Sequence, residues 1–373
     1  MKILSIGTDR KVFVEGSAVR ARLLEYGGLV DELHVIVFAK RALGFCEETI
    51  PPNIFLYPTN AWTRFGYVPH AIICALALRR RGVPIDVVTT QDPFECGLAG
   101  FLIARIFRAR LHIQIHTDVM SPYFANESTL NRVRVLIAKF LIPRASGIRV
   151  VSERIKKSLI ISCSKIHASR IAVLPIFVDA QKIKGAPIKT DLHVKYPQFD
   201  FIALMASRFT KEKNIPIAID AMADVVKKHP KAGLVIVGSG PEEQKLKLLA
   251  TRYSLLSNIV FEPWTDDLAS YYKSADVFVL TSNYEGYGRT IIEAEAAGCP
   301  VIMTDVGIAG DVIKNGENGL IVPVGDVQAL AEALRSVIEK KAVLHAELPT
   351  QLTKEEYMAQ YATTWQSCIT CVA

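Results

Sequence analysis

Two short stretches of this sequence hold side chains whose types and spacing could manage a large negative charge. The first is Asn283-Tyr284-Glu285-Gly286-Tyr287-Gly288-Arg289-Thr290-Ile291-Ile292-Glu293-Ala294, which follows the apolar run Val277–Leu280. Two glycines between a strand and a helix let the backbone come close to a ligand, and the start of a helix presents N–H groups that nothing inside it can satisfy. A diphosphate fits such a cradle. Glu293 stands eight residues after Glu285, about two turns into the helix, where a carboxylate can accept two hydrogen bonds from a ribose diol. Glu285, before the helix, would point toward whatever the phosphate carries. Taken alone, the same stretch also reads as a glycine turn with a solvated Glu285 and a helix-capping Glu293.

The second stretch, Ser207-Arg208-Phe209-Thr210-Lys211-Glu212-Lys213-Asn214, leaves another apolar run, Phe201–Ala206. Arg208 and Lys213 would project from a loop at the carboxyl edge of a sheet, where two fixed positive charges can neutralise a departing diphosphate. Lys211 reads as an ordinary surface lysine. The chain contains no Asp-x-Asp, the usual carboxylate site for a diphosphate-bound divalent cation, so these cationic side chains are expected to substitute for a metal.

The elements that must position these residues follow from the alternation of short Val/Ile/Leu runs with longer amphipathic segments, the pattern of parallel strands joined by helical crossovers. Candidate strands in the first half are Lys2–Ile6, Leu33–Phe38, Ile85–Thr89, Leu111–His116 and Ile148–Ser152. The second half offers 201–206, Leu234–Gly238, Ile259–Glu262, Val277–Thr281, Val301–Thr304 and Leu320–Val322. At 373 residues the chain exceeds the size at which a single core stops growing. The expectation is therefore an α/β protein of two units: a first domain over 1–178, an interdomain connection over 179–197 broken by Gly185, Pro187 and Pro197, a second domain over 198–349, and a C-terminal helix within 350–373 that packs back on the first domain. Open parallel sheets bind ligands beyond the carboxyl ends of their strands, so two facing sheets would put two ligands across a cleft.

Composition narrows the class. Half of the residues are hydrophobic, yet no apolar run approaches the roughly 18 to 20 residues that span a bilayer, and the opening MKILSIGTDR lacks the apolar core of a secretory leader. Seven scattered cysteines do not form a secreted disulfide framework, which suits the cytoplasm; Cys368 and Cys371 have CxxC spacing but no strand–helix context for redox or metal work. Residues 1–180 hold 24 Lys and Arg against 14 Asp and Glu, a net +10, while the remaining 20 against 23 leave −3. The basic clusters of the first half, among them Arg79-Arg80-Arg81, Arg105/Arg108/Arg110 and Arg132/Arg134/Lys139/Arg144, suit solvated helix faces, an acidic substrate or an anionic membrane surface touched from the cytoplasmic side. No aromatic-interleaved basic module points to nucleic acid.

Ser-Arg-Phe-x-x-Glu-Lys-Asn at 207–214, Val237-Gly238-Ser239-Gly240-Pro241, the Glu-x7-Glu stretch, Gly298-Cys299-Pro300-Val301, and Gly316-Glu317-Asn318-Gly319-Leu320 through Gly325-Asp326 together resemble glycosyltransferase family 4. The match in order and spacing spans 201–335. It is looser in the first half, at Glu15-Gly16-Ser17, His116-Thr117-Asp118, Val151-Ser152 and Val173-Leu174-Pro175. The resemblance implies a GT-B fold of two facing Rossmann-like domains, and retaining transfer of a hexose-type sugar from a nucleotide diphosphate-sugar to a hydroxyl acceptor. It implies no bound cofactor or metal.

On that resemblance Arg208 and Lys213 match the phosphate-binding pair, Glu293 the ribose ligand, and Glu285 the contact to the transferred sugar. The amides of Gly286, Tyr287, Gly288, Arg289 and Thr290 match the sugar and diphosphate cradle, and Glu212 joins the substrate-binding set. Gly16 and Ser17 would add amides from the first domain. His116 matches a histidine placed near the reacting sugar, and Asp118 would either orient it or bind acceptor. The chain departs from the commoner pattern in lacking a Gly-Gly pair before its first helix and in having Pro263 where glycine often precedes the tryptophan. The acceptor is expected to be a carbohydrate, lipid-linked or envelope glycan. Two other readings share the architecture: a nucleotide-sugar epimerase and a catalytically silent nucleotide-sugar-binding protein. Donor base, sugar and oligomeric state are not encoded in the motifs.

Overall fold

The computed structural model describes residues 1–163, 165–349 and 351–370. Two compact units result: 1–175 together with 353–373, and 176–352. Cys371 lies outside the described residues.

The first unit is built on the strands β1 (Lys2–Gly7), β2 (Glu32–Val37), β3 (Glu48–Ile50), β4 (Ile54–Pro58), β5 (Val87–Thr90), β6 (Arg110–Ile115), β7 (Gly147–Val150) and β8 (Ile171–Val173). Their order in the sheet is β3-β4-β2-β1-β5-β6-β7-β8, and every pairing is parallel except β3 with β4. Helices cover the faces, so the central strands bury apolar residues on both sides, Ile3, Leu4 and Ile6 of β1, Val88 of β5 and Ile113 of β6 among them, and β5 and β6 bury the polar Thr89, Thr90, His112 and Gln114 as well. The sequence pattern misses β3, β4 and β8. Two of these are three residues long and at the sheet's margins, and the third ends at Pro58 just after Pro51 and Pro52, which leaves too little period to read.

The second unit carries β9 (Phe201–Ala206), β10 (Ala232–Val237), β11 (Ile259–Glu262), β12 (Val277–Leu280), β13 (Val301–Thr304) and β14 (Gly319–Val322). All are parallel, in the order β11-β10-β9-β12-β13-β14. The chain first winds outward from β9 toward β11, then returns to lay β12 on the other side of β9. That reversal makes the carboxyl ends of β9 and β12 the switch point where an open α/β sheet leaves room for a ligand. In the first unit the corresponding reversal lies between β1 and β5.

The stretch expected to be a patternless connection instead forms two short helices, Ala180–Gly185 and Leu192–Lys195, held on the second unit. Its backbone N–H groups at Lys189 and Leu192 donate to the hydroxyls of Ser270 and Ser274, and Lys195 pairs with Glu262 at 2.7 Å. Polar side chains of neighbouring helices replace the apolar stripe that a sequence pattern would reveal.

The last helix, Lys354–Thr370, belongs to the first unit. It buries Trp365 and Cys368 and stacks Tyr361 on Tyr26 at 4.5 Å between ring centroids. The buried Arg149 of β7 donates to Gln114 Oε1 at 2.9 Å, to the Pro175 carbonyl at 3.0 Å and to the Tyr357 hydroxyl at 3.1 Å. Gly147 is where Cys368 enters: a methyl group there would lie 2.4 Å from its Sγ. Cys368 therefore fills core space.

Candidate functional site

The loop after β9 runs through Ser207–Asn214, and its path depends on a glycine of the next crossover. Gly238 has φ +147°, and a side chain on it would put its first carbon 1.9 Å from the Ser207 carbonyl oxygen. Only glycine lets the two loops lie in contact, where the Ser207 and Phe209 amides donate to the carbonyls of Val237 and Ser239. Phe209 is buried beneath, which contributes about 1.5–3 kcal/mol and anchors the loop from below. Arg208 is left on the outside, 76 % exposed, with its Nη2 3.2 Å from Glu212 Oε1. An exposed pair of this kind adds about 0–1 kcal/mol, so Glu212 aims the guanidinium more than it stabilises the protein. The Glu212 carbonyl also accepts from the Asn283 amide at 2.8 Å, which ties this loop to the one after β12.

The second loop brings Glu285 to Lys213. Lys213 Nζ donates to Glu285 Oε1 in a short bond, and Ser282 Oγ donates to the same oxygen at 2.8 Å. Thr281 Oγ donates to the Lys213 carbonyl at 2.8 Å and Thr304 Oγ to the Ser282 carbonyl at 2.7 Å, so both loops are pinned by hydroxyls at strand ends. Gly288, in the left-handed region at φ 82°, precedes the Arg289–Ala296 helix. Glu293, one turn on from Arg289, forms an ion pair with Arg289 Nε at 2.8 Å through Oε1 and accepts from the Tyr272 hydroxyl at 3.2 Å through Oε2. Burial and the Glu293 charge push the Tyr272 phenol far above its usual range, which keeps it a donor.

These pieces enclose a cavity of about 190 Å3 at the switch point of the second sheet. Arg208, Lys213, Ser207, Ser282, Thr290 and Trp264 line it. Arg208 and Lys213 therefore face one pocket together with Thr290 of the helix start, where unpaired N–H groups and the positive end of the helix dipole favour an anion. Glu285 and Glu293 flank it through their bonds to Lys213 and Arg289. The side chain of Arg289, expected among the substrate contacts, is occupied by Glu293; Tyr287 is buried, with its phenol pushed up to about 12 by burial.

The first unit treats its predicted residues differently. Gly16, at φ 73°, precedes Ser17, the N-cap of the Ala18–Gly27 helix. Ser17 Oγ accepts from the Arg20 amide at 3.1 Å and donates to the Lys11 carbonyl at 2.6 Å, and the Ser17 amide donates to the Val14 carbonyl at 3.2 Å. The Ser17 N–H expected to face a diphosphate is thus spent inside the protein. His116 follows β6, and burial, with the charges of Arg149 and Arg22, pushes its ring down to about 3, so it is neutral at physiological pH. Asp118 does not orient it through a bond given by the described residues: its Oδ1 accepts from Ser158 Oγ at 2.9 Å and from the Met120 amide at 3.3 Å. Burial pushes the Asp118 carboxyl up.

Residues 193–363 match the family described as Glycosyl transferases group 1, and residues 27–182 match Glycosyltransferase Family 4. The capsular polysaccharide biosynthesis glycosyltransferase CapM of Staphylococcus aureus is 30% identical over 272 residues, 69% of this chain and 68% of that protein. The chain belongs to glycosyltransferase family 4. Another relative of this family 4 enzyme is the Escherichia coli UDP-Gal:alpha-D-GlcNAc-diphosphoundecaprenol alpha-1,3-galactosyltransferase, 27% identical over 69% of this chain and 67% of that one. Among solved structures, Anabaena HepE in complex with UDP superposes with a TM-score of 0.70 at 21% identity, covering 99% of this chain and 94% of that chain. Sucrose-phosphate synthase from Thermosynechococcus elongatus does so at 0.73 and 20%, covering 99% and 95%. The fold of the family 4 enzyme is GT-B.

Two features of the site escape the motif reading. Gly307, after β13, is one: a side chain there would sit 3.0 Å from Glu285 Cβ and 3.1 Å from the Tyr287 carbonyl, so its bareness shapes the loop that carries Glu285. Its only signal is a glycine three residues beyond the end of a strand. Tyr272 is the other; it stands outside every motif quoted above, yet its hydroxyl reaches Glu293. Among the described residues no three His, Cys, Asp or Glu side chains are grouped as metal ligands would be, and no helix is long and apolar enough to cross a membrane.

Proposed function

We propose that this family 4 enzyme is a retaining glycosyltransferase that moves a hexose-type sugar from a nucleotide diphosphate-sugar to a hydroxyl of a lipid-linked or envelope glycan, without a metal. The observation that carries the reading is the convergence of Arg208, Lys213 and Thr290 on one cavity at the switch point of the second sheet. The diphosphate would take the cationic end and the amides of 286–290, the ribose diol would meet Glu293, and the sugar would lie toward Glu285. The base would stack on Trp264, which is half exposed at the cavity wall.

The charge that grows during the reaction is on the departing diphosphate, so Lys213 and Arg208 act mainly on the transition state. Glu285 holds Lys213 Nζ at one oxygen and, among the described residues, has its second oxygen left for the sugar. As the glycosidic bond lengthens, an oxocarbenium-like sugar forms, and the acceptor hydroxyl enters on the departing face. Its proton passes to the leaving phosphate oxygen, so no dedicated protein base is needed. A neutral His116 suits this scheme as a hydrogen-bonding partner of the sugar. The alpha products in the relatives' names fit retention from alpha-configured donors, and the UDP in several neighbours favours that base.

A thermal-shift series with UDP, GDP and ADP, followed by their sugars, tests the donor: one base should raise the melting temperature well above the others. Product analysis by NMR then reads the anomeric configuration. An inverted product would refute retention, sugar isomerised without acceptor would make the chain an epimerase, and donor bound but never turned over would make it a silent binding protein.

A further inference from the structure

We infer, on the donor reading proposed above, that Glu262 is a positioning residue for the nucleotide base. With the hydroxyls of Tyr196 and Tyr271 and the ammonium of Lys195, its carboxylate fixes the 263–267 loop so that Trp264 presents its ring at the donor cavity. β11 is an edge strand of the second sheet, and its carboxyl end lies two strand spacings, about 10 Å, from that of β9. Trp264 stands only two residues past the end of β11, yet it lines the cavity at β9 and β12 together with Ser207, Arg208 and Thr290. The loop therefore leans across the end of β10. Trp264 is 54% exposed, so packing around its ring does little to hold it there. Its position is set by the backbone on either side.

On the strand side, the Gly238 amide donates to the Glu262 carbonyl at 2.9 Å, just beyond the paired Val237 and Glu262. The side chain supplies the rest. Glu262 Oε1 accepts from Lys195 Nζ at 2.8 Å and from the Tyr196 hydroxyl in a short bond, while Oε2 accepts from Lys195 Nζ at 2.7 Å and from the Tyr271 hydroxyl at 2.6 Å. Lys195 Nζ also donates to the Tyr271 hydroxyl at 2.9 Å. The carboxylate side chain is only 11% exposed and would be costly to bury without these donors. Burial pushes its carboxyl up, but the bonds from Lys195, Tyr196 and Tyr271 together hold it below its ordinary value, so it stays ionised.

Tyr271 follows Glu262 by nine residues, on the Leu268–Ser274 helix, so their bond closes the loop at its base. Pro263 fixes φ at the first loop residue. At the other end the Asp267 amide donates to Thr265 Oγ1 at 3.1 Å, and Ser270 Oγ donates to Asp267 Oδ1 at 2.7 Å. The next residue of the same helix, Tyr272, reaches Glu293. Consecutive tyrosines thus hold the loop of the base and the carboxylate of the ribose. A polar cluster with its groups satisfied selects one geometry, where an apolar contact would tolerate slippage. The cluster also fastens the Leu192–Lys195 helix to the unit, and that duty alone would cost stability without touching base recognition.

Titration calorimetry separates the two roles, with the full chain and two probes: whichever of UDP, GDP and ADP binds best, and inorganic pyrophosphate, which has no base. Trp264→Ala and Glu262→Leu should each weaken the nucleotide roughly tenfold, the worth of one stacked base, and leave pyrophosphate within about twofold. Glu262→Leu combined with Trp264→Ala should bind the nucleotide no more weakly than Trp264→Ala alone, because Glu262 acts through that ring. If Glu262→Leu does not fold, Tyr196→Phe with Tyr271→Phe keeps the carboxylate and its Lys195 pair, and should weaken the nucleotide about threefold. Unchanged nucleotide affinity in the folded variants, an equal loss for pyrophosphate, or additive losses in the combined variant would overturn the inference. A wild-type chain that binds pyrophosphate as tightly as any nucleotide would overturn it too, and leave the cationic cavity standing. Binding of neither probe would remove the donor reading and this inference together.

Discussion

The carboxyl edges of the two sheets start from the same topology and end with different chemistry. In the second unit the loops after β9 and β12 are fixed by backbone contacts and strand-end hydroxyls, which leaves Arg208, Lys213 and the start of the Arg289–Ala296 helix turned toward a shared cavity. In the first unit the equivalent polar groups are used internally: Ser17 caps its own helix and Asp118 holds Ser158. A site for a constant, highly charged ligand can be built from fixed loops. In the first unit the scaffold has already satisfied those groups, so they present no comparable set of free donors.

The comparison breaks most directly at Lys213. Lys213→Ala removes one stabilising charge and strands Glu285, and kcat should fall about 100- to 1000-fold in initial-rate assays with the preferred donor. A normal rate would mean that the cationic cavity does not carry the chemistry. Next in size is Gly238→Ala, whose methyl group cannot share space with the Ser207 carbonyl. It should cost about 1–3 kcal/mol in denaturant unfolding and loosen donor binding with it. Full stability would show that the Arg208 loop does not depend on that contact.

Behind the cradle, Glu295 is buried on the same helix, accepting from the Asn318 side chain at 3.2 Å and the Glu347 amide at 2.9 Å. Burial pushes its carboxyl up to about 8 from an ordinary 4.5. The folded state therefore binds this proton more tightly than the unfolded one. The stabilisation is complete below about 4.5 and drains away as pH rises through 8. Glu295→Gln should flatten the decline in melting temperature over that window and leave the variant more stable than the parent at its alkaline end; an unchanged slope would assign the decline to other groups. The smallest effect is expected in the first unit. Ser17→Ala should lose about 1 kcal/mol from the missing cap while donor affinity stays constant by titration calorimetry. A large drop in affinity would give that helix start a share of the diphosphate.

Much of the second unit was legible because its signals are local. The bounds of 201–206, 259–262 and 301–304 are those expected from the apolar runs alone, and the charged motifs sit directly after such runs. The short strands β3 and β8, the helices at 180–195 and the roles of Tyr272 and Gly307 were not legible. Each depends on a partner far along the chain: Tyr272 on Glu293, Gly307 on Glu285, Lys189 on Ser270.

By itself the sequence determined the two α/β units, the glycine-fronted helix start and the cationic residues after β9, because strand period, turn chemistry and charge type are written over a few neighbouring residues. Tertiary structure alone decided which of those groups face a ligand. It drew Arg208, Lys213 and Thr290 to one cavity and committed Ser17 and Asp118 to internal bonds. A hydrogen bond or an ion pair is settled by distances of a few ångströms between distant residues, and no local pattern encodes them.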